Sequence, residues 1–80
     1  MTIVPVQCWI ARTALGWTLS DLARAVGMSR TAVRNFERGK ASRATTIEAI
    51  QRALEEAGVI FIEVNEGGPG ARLRSTERNP

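Results

Sequence analysis

The sequence has no histidine and a single cysteine, Cys8, among 80 residues. Without histidine, zinc sites of the Cys/His kind and imidazole-based acid–base catalysis are excluded by count. A lone thiol cannot close an internal disulfide, and Cys8 is expected as a small buried hydrophobe on the first helix. No long apolar run is present and no signal-peptide pattern is seen, so the expectation is a soluble, cytoplasmic protein with no membrane association. The glycines at 67, 68 and 70 are not followed by Lys-Ser/Thr or by a helix opening, which excludes a phosphate loop. Glu55 and Glu56 are adjacent on a helical pattern and point about 100° apart, so they read as solvated charges rather than a catalytic pair. Catalytic residues, metal ligands and cofactors are all expected to be absent.

The chain is long enough for one domain, near the lower size at which a core sustains itself without disulfides or metal. Its net charge of +3 hides an asymmetry. Residues 24–43 carry six positive side chains and one acid, a net of +5, whereas residues 44–66 net −4. A basic stretch backed by an acidic one is the electrostatic footprint of a polyanion binder.

The basic stretch overlaps the most structured pattern in the chain, residues 18–40. Thr18 and Asp21 have the spacing of a capping box with Asp in place of Glu. Leu19, Leu22, Ala23 and Val26 recur at helical spacing, and Gly27 falls where a chain leaving a helix turns left-handed. Ser29 is a ready N-cap for a following helix over 30–38, which Gly39 ends. Two helices joined by so short a turn pack at a steep angle, the geometry that places the second in a DNA major groove.

Upstream, residues 1–4 read as an extended lead-in ended by Pro5, and residues 6–15 as a helix with Cys8, Ala11 and Leu15 facing the core. Trp9 and Ile10 lie beside that stripe, and two readings stand: packing under the C-terminal strand, or a partner-binding patch. Trp17 is expected as a wedge at the junction of the first two helices. Downstream, Thr45 to Glu48 reads as a second capping box opening a helix that stops at Gly58. Ile47, Ile50, Ala53 and Leu54 form its inward stripe, and Glu48 and Arg52 have ion-pair spacing. Residues 59–64 are β-branched and aromatic, Asn65 and Glu66 begin a glycine-rich turn, and residues 71–74 suit a returning strand. Residues 75–80 read as a flexible tail.

Gly16-Trp17-Thr18, Leu22-Ala23, Val26-Gly27-Met28-Ser29, Val33 and Phe36-Glu37-Arg38-Gly39-Lys40 together resemble the Cro/Xre-like (phage lambda repressor-like) helix-turn-helix DNA-binding family. The likeness runs from Arg12 through Gly58. It implies a mainly α fold, a compact four-helix lambda-repressor-like domain over 1–58, to which the strand pattern adds a C-terminal β-strand or hairpin over 59–74. It also implies a prokaryotic or phage-like transcription regulator, nucleoid-associated, and a pair between Arg12 and Glu37. The chemistry agrees with that pair, because an acid on a DNA-facing helix repels phosphate unless turned inward and neutralised. Many members carry glutamine directly after the first cap to meet a phosphate. Here that place is Leu19, leaving Thr18 or a backbone N–H for the contact.

The expected base-reading residues are Arg30, Thr31, Arg34 and Asn35, opposite the inward Val33, Phe36 and Ala32. Arginine can bond guanine bidentately, asparagine adenine, and a threonine methyl can touch thymine. Thr18, Ser29, Arg38, Lys40 and Arg43 are expected at phosphates. A strand apolar on both faces needs a cover, and two readings stand: pairing with a second copy through Val59, Ile60, Phe61, Ile62 and Val64, or packing within the chain alone. The reading is a sequence-specific double-stranded DNA regulator acting as a homodimer. The alternative is an antitoxin or accessory module that binds a partner protein, such as a toxin or RNA polymerase, through Trp9, Ile10 and the C-terminal strand.

Overall fold

The computed structural model describes residues 2–63 and 67–74. Val64, the turn residues Asn65 and Glu66, and the tail 75–80 lie outside the described residues. The elements are α1 (Pro5–Ala14), α2 (Leu19–Val26), α3 (Arg30–Glu37), α4 (Ala44–Glu56), β1 (Val59–Ile62) and β2 (Gly70–Leu73). Four helices thus carry a short antiparallel hairpin at the C-terminal end, as the sequence pattern predicts.

The first three helices end alike. Trp17 N–H reaches Arg12 O, Met28 N–H reaches Ala23 O, and Lys40 N–H reaches Asn35 O, each at 3.0 Å. This closure needs a left-handed residue just past the helix, and Gly27 (φ +82°) takes that role in the turn between α2 and α3. The starts follow the caps. Thr18 Oγ1 accepts from Asp21 N–H at 3.0 Å while Asp21 Oδ2 accepts from Thr18 N–H at 2.9 Å. Ser29 Oγ accepts from Ala32 N–H at 3.1 Å.

The start of α4 differs from expectation. Its N-cap is Arg43, with no side-chain cap, and Ile47 N–H to Arg43 O is the first helical bond. Ala44, a strong helix former, extends the helix one residue upstream of Thr45, so the Thr45–Glu48 capping box does not form. The lead-in also does more than expected, since Ile3 is core at 2% exposure.

Every helix and β1 contribute to the core: Ile3, Cys8, Ala11, Leu22, Ala23, Val33, Phe36, Ile50, Leu54 and Val59. Trp17, Ile47, Phe61, Ala71 and Leu73 pack against it. Residues deep in such a core cost about 2–5 kcal/mol each when truncated to alanine. The hairpin pairs Val59 with Leu73, Ile60 with Arg72, Phe61 with Ala71 and Ile62 with Gly70. Alternation puts Val59, Phe61, Ala71 and Leu73 on the inner face, with β2 against α1 and β1 against α4. A two-stranded hairpin that would be marginal alone is therefore covered by its own chain.

Candidate nucleic-acid interface

α3 divides cleanly around its axis. Val33 is fully buried and Phe36 is 3% exposed, so the opposite face cannot turn inward. On that face Arg30, Thr31, Arg34 and, at the C-cap, Arg38 are exposed. Asn35 is partly buried and lines an open groove with Ala32, Ala41, Ser42, Arg43 and Thr46, between α3 and the start of α4. Lys40 and Arg43 are exposed on the connection that borders this groove. Because Arg43 caps α4 with backbone alone, its guanidinium is left to solvent.

The acid of α3 is dealt with internally. Arg12 Nε donates to Glu37 Oε2 at 2.8 Å and Arg12 Nη2 to Oε1 at 3.0 Å, a bidentate pair. Arg12 Nη1 also donates to Trp17 O at 3.0 Å, tying the end of α1 into the same network. The two side chains are 14% and 8% exposed, so the pair is shielded from solvent. Hydrogen bonding to Glu37 raises the Arg12 pKa further above its already high value. With Glu37 turned away, the outward side of α3 presents arginines without a competing carboxylate.

Cys8 joins this network, which its reading as a plain buried hydrophobe missed. Its Sγ donates to Glu37 Oε2 at 3.3 Å, so one carboxylate oxygen receives both the thiol and Arg12 Nε. Burial, and then the neighbouring Glu37 charge, push the thiol pKa far above its usual range. The thiol stays protonated and acts as a donor, not a nucleophile.

The phosphate candidates divide. Ser29 is exposed, and its hydroxyl oxygen is used by the cap while its proton remains available. Thr18 has spent its backbone N–H on Asp21, leaving only the hydroxyl proton for an anion. Asp21 is itself held below the usual carboxylate range, first by the Thr18 backbone N–H, then by the Thr18 side chain, with Arg24 assisting. Leu19 packs against the core instead of facing out.

Outside this interface, Val6 and Trp9 stand 43% and 50% exposed on α1. Trp9 is thus only half covered, while Ile10 is partly buried. Within β1, Val59 is sealed in the core, Ile60 and Phe61 are half-buried, and Ile62 is 42% exposed. Arg74 N–H to Gly58 O sets the hydrogen-bond phase of the hairpin. Rungs at Gly58, Ile60 and Ile62 therefore face β2, and the N–H and C=O groups of Val59 and Phe61 face the other edge.

The residue that sequence reasoning passed over is Gln7. It is fully buried, and its amide bonds both strands of the hairpin: Nε2 donates to Ile62 O at 2.8 Å and to Gly70 O at 3.1 Å. Its Oε1 accepts from Val4 N–H at 2.9 Å. The available signal was spacing, because Gln7 lies four residues before Ala11 and so falls within the buried face of α1.

No helix among the described residues is long and apolar enough to cross a membrane. No curated protein matches the chain. A family model described as helix-turn-helix matches residues 10–59. That span begins on α1, ends at the first residue of β1, and encloses the capped turn, the inward Glu37 and the exposed arginine face. On that match, over more than half its length, the chain belongs to the Cro/Xre-like helix-turn-helix family of DNA-binding transcription regulators.

Proposed function

We propose that the protein binds double-stranded DNA sequence-specifically as a homodimer. In this reading Arg30, Thr31, Arg34 and Asn35 read base edges, and Thr18, Ser29, Arg38, Lys40 and Arg43 hold phosphates. The observation that carries it is the division of α3: Val33 and Phe36 buried, Glu37 neutralised inside by Arg12, and only cationic and polar groups outward. An arginine bidentate to guanine discriminates by about 1–3 kcal/mol per base, enough for sequence preference over a short half-site. Asn35 works at the groove margin, where its amide meets the same edge that Arg43 approaches from the backbone side.

The dimer is supported by the free edge of β1. Antiparallel pairing of two copies with Val59 opposite Phe61 would satisfy both sets of outward backbone groups and build a four-stranded sheet. A two-fold dimer suits two half-sites about one DNA turn apart. The test is selection of duplexes from a random pool, followed by mobility shift at two salt concentrations. Arg34→Glu should abolish the shift, and unchanged binding would overturn the assignment of α3. Light scattering should give twice the chain mass at high micromolar concentration, and a monomer there would remove the strand-paired dimer.

The half-exposed Trp9 favours a second reading, in which the α1 surface and the hairpin bind a partner protein. Under it, Trp9→Ala would leave DNA binding intact and abolish capture of the partner.

A further inference from the structure

Gln7 is the only fully buried polar side chain among the described residues, and its bonds are placed unusually. Nε2 contacts Ile62 O and Gly70 O, the last paired rung of the hairpin before the chain leaves β1 and re-enters at β2. Oε1 holds Val4 N–H, just before α1. One amide thus ties the start of α1 to both strands at the end of the ladder. Five residues on, about 7.5 Å along the same helix, Arg12 grips Glu37 at the end of α3, with Cys8 between them. A single short helix therefore carries side-chain bonds to the hairpin at one end and to α3 at the other.

We infer that Gln7 is a positioning residue for DNA recognition: it locks the hairpin onto α1 and so sets the spacing and rotation of the two α3 helices in the dimer. This rests on the dimer reading, because only with β1 at the subunit junction does the hairpin's angle become the angle between half-sites. Apolar packing of the hairpin's inner face holds it to the helices but is non-directional. The amide supplies direction, since its donor must meet two carbonyls on different strands. Rotating the hairpin about α1 breaks at least one of these bonds and leaves part of the fully buried Gln7 amide without a partner. The chain uses its buried polar residue where a geometric constraint is useful and an apolar residue would give none.

The experiment uses full-length protein and duplexes selected by the wild type, with half-sites at the selected spacing or moved apart by about two base pairs, a rotation of about 70°. A single half-site serves as control. Gln7→Met keeps volume and an unbranched shape but removes the donor and acceptor. Gln7→Leu makes the same comparison should methionine unfold the chain. Hydrogen exchange on the helical amides certifies folding. Amides of β1 and β2 should exchange about ten-fold faster in the variant, the factor expected for one lost hydrogen-bonded unit.

The expected result is that wild type prefers the selected spacing, while Gln7→Met binds both spacings within about two-fold and keeps wild-type affinity for the single half-site. If the variant retains the wild-type spacing ratio, Gln7 does not set the geometry. Should half-site affinity fall in step with the two-site affinity, Gln7 is simply part of the fold and the inference is overturned. Absence of any spacing preference in wild type would instead remove the dimer reading, and this inference with it. The failures are thus distinguishable.

Discussion

Removing Arg12 tests the internal neutralisation on which the exposed face of α3 depends. Arg12→Met keeps side-chain volume but leaves the Glu37 carboxylate 8% exposed, with only the Cys8 thiol at 3.3 Å as donor. Breaking a shielded pair from one side costs about 3–5 kcal/mol, against about 0–1 kcal/mol for a solvated pair. A chain of this size has roughly 4–12 kcal/mol of total stability. The substitution should therefore remove a quarter or more of it and lower Tm by about 12–24 °C at the lower estimate. Glu37→Met should cost a similar amount, because the guanidinium keeps only Trp17 O. The double variant Arg12→Met/Glu37→Met replaces both charges by apolar groups of similar volume. It should lie within about 1–2 kcal/mol of wild type, most of the loss being the unpaired Trp17 carbonyl. The cycle then gives a coupling of about 4 kcal/mol or more. Urea denaturation followed by tryptophan emission measures all four proteins. Additive losses, or a cost below about 1 kcal/mol for Arg12→Met, would mean the pair is effectively solvated.

Three further predictions use other features. Arg43→Asp places an N-cap acceptor at α4, where none exists, and should raise stability by about 1 kcal/mol in denaturant titration while weakening duplex binding; tighter binding would place Arg43 off the interface. Cys8 should resist a maleimide in native buffer and react readily in urea, because its thiol is sealed and held protonated; equal rates in the two conditions would contradict the burial. Asp21 has a folded-state pKa below the unfolded value of about 3.9, so its capping contribution is complete above that value and is lost as pH falls through the lower folded value. A carboxyl titration by NMR with its midpoint at or above about 3.9 would show that the capping box does not form in solution.

The local order of the helix pair is legible in the chain because it depends on neighbours. Thr18 with Asp21, and Ser29 with Ala32 N–H, act within one turn, and Gly27 supplies the left-handed residue between them. The outward side of α3 follows from the same arithmetic, since Val33 and Phe36 determine which face is inside. The helix starting at Ala44 was harder to locate. Two overlapping starts bury the same apolar stripe, and the propensity of Ala44 decided between them.

What sequence could not settle required knowing which distant groups meet. Arg12 and Glu37 were paired only through family likeness, and nothing within either helix specifies the bidentate geometry or the thiol that joins it. Hairpin pairing within the chain, with one edge of β1 left over, depends on the cover that α1 and α4 provide, a surface present only after the helices have packed. Gln7 is the clearest case. A polar side chain on an apolar stripe looks like a fault until the carbonyls of Ile62 and Gly70, far away in sequence, arrive within hydrogen-bond reach of its amide. Short-range hydrogen bonds and periodicity are properties of the chain. Satisfaction of a buried polar group is a property of the packed whole, because its partners come from elements that packing alone brings together.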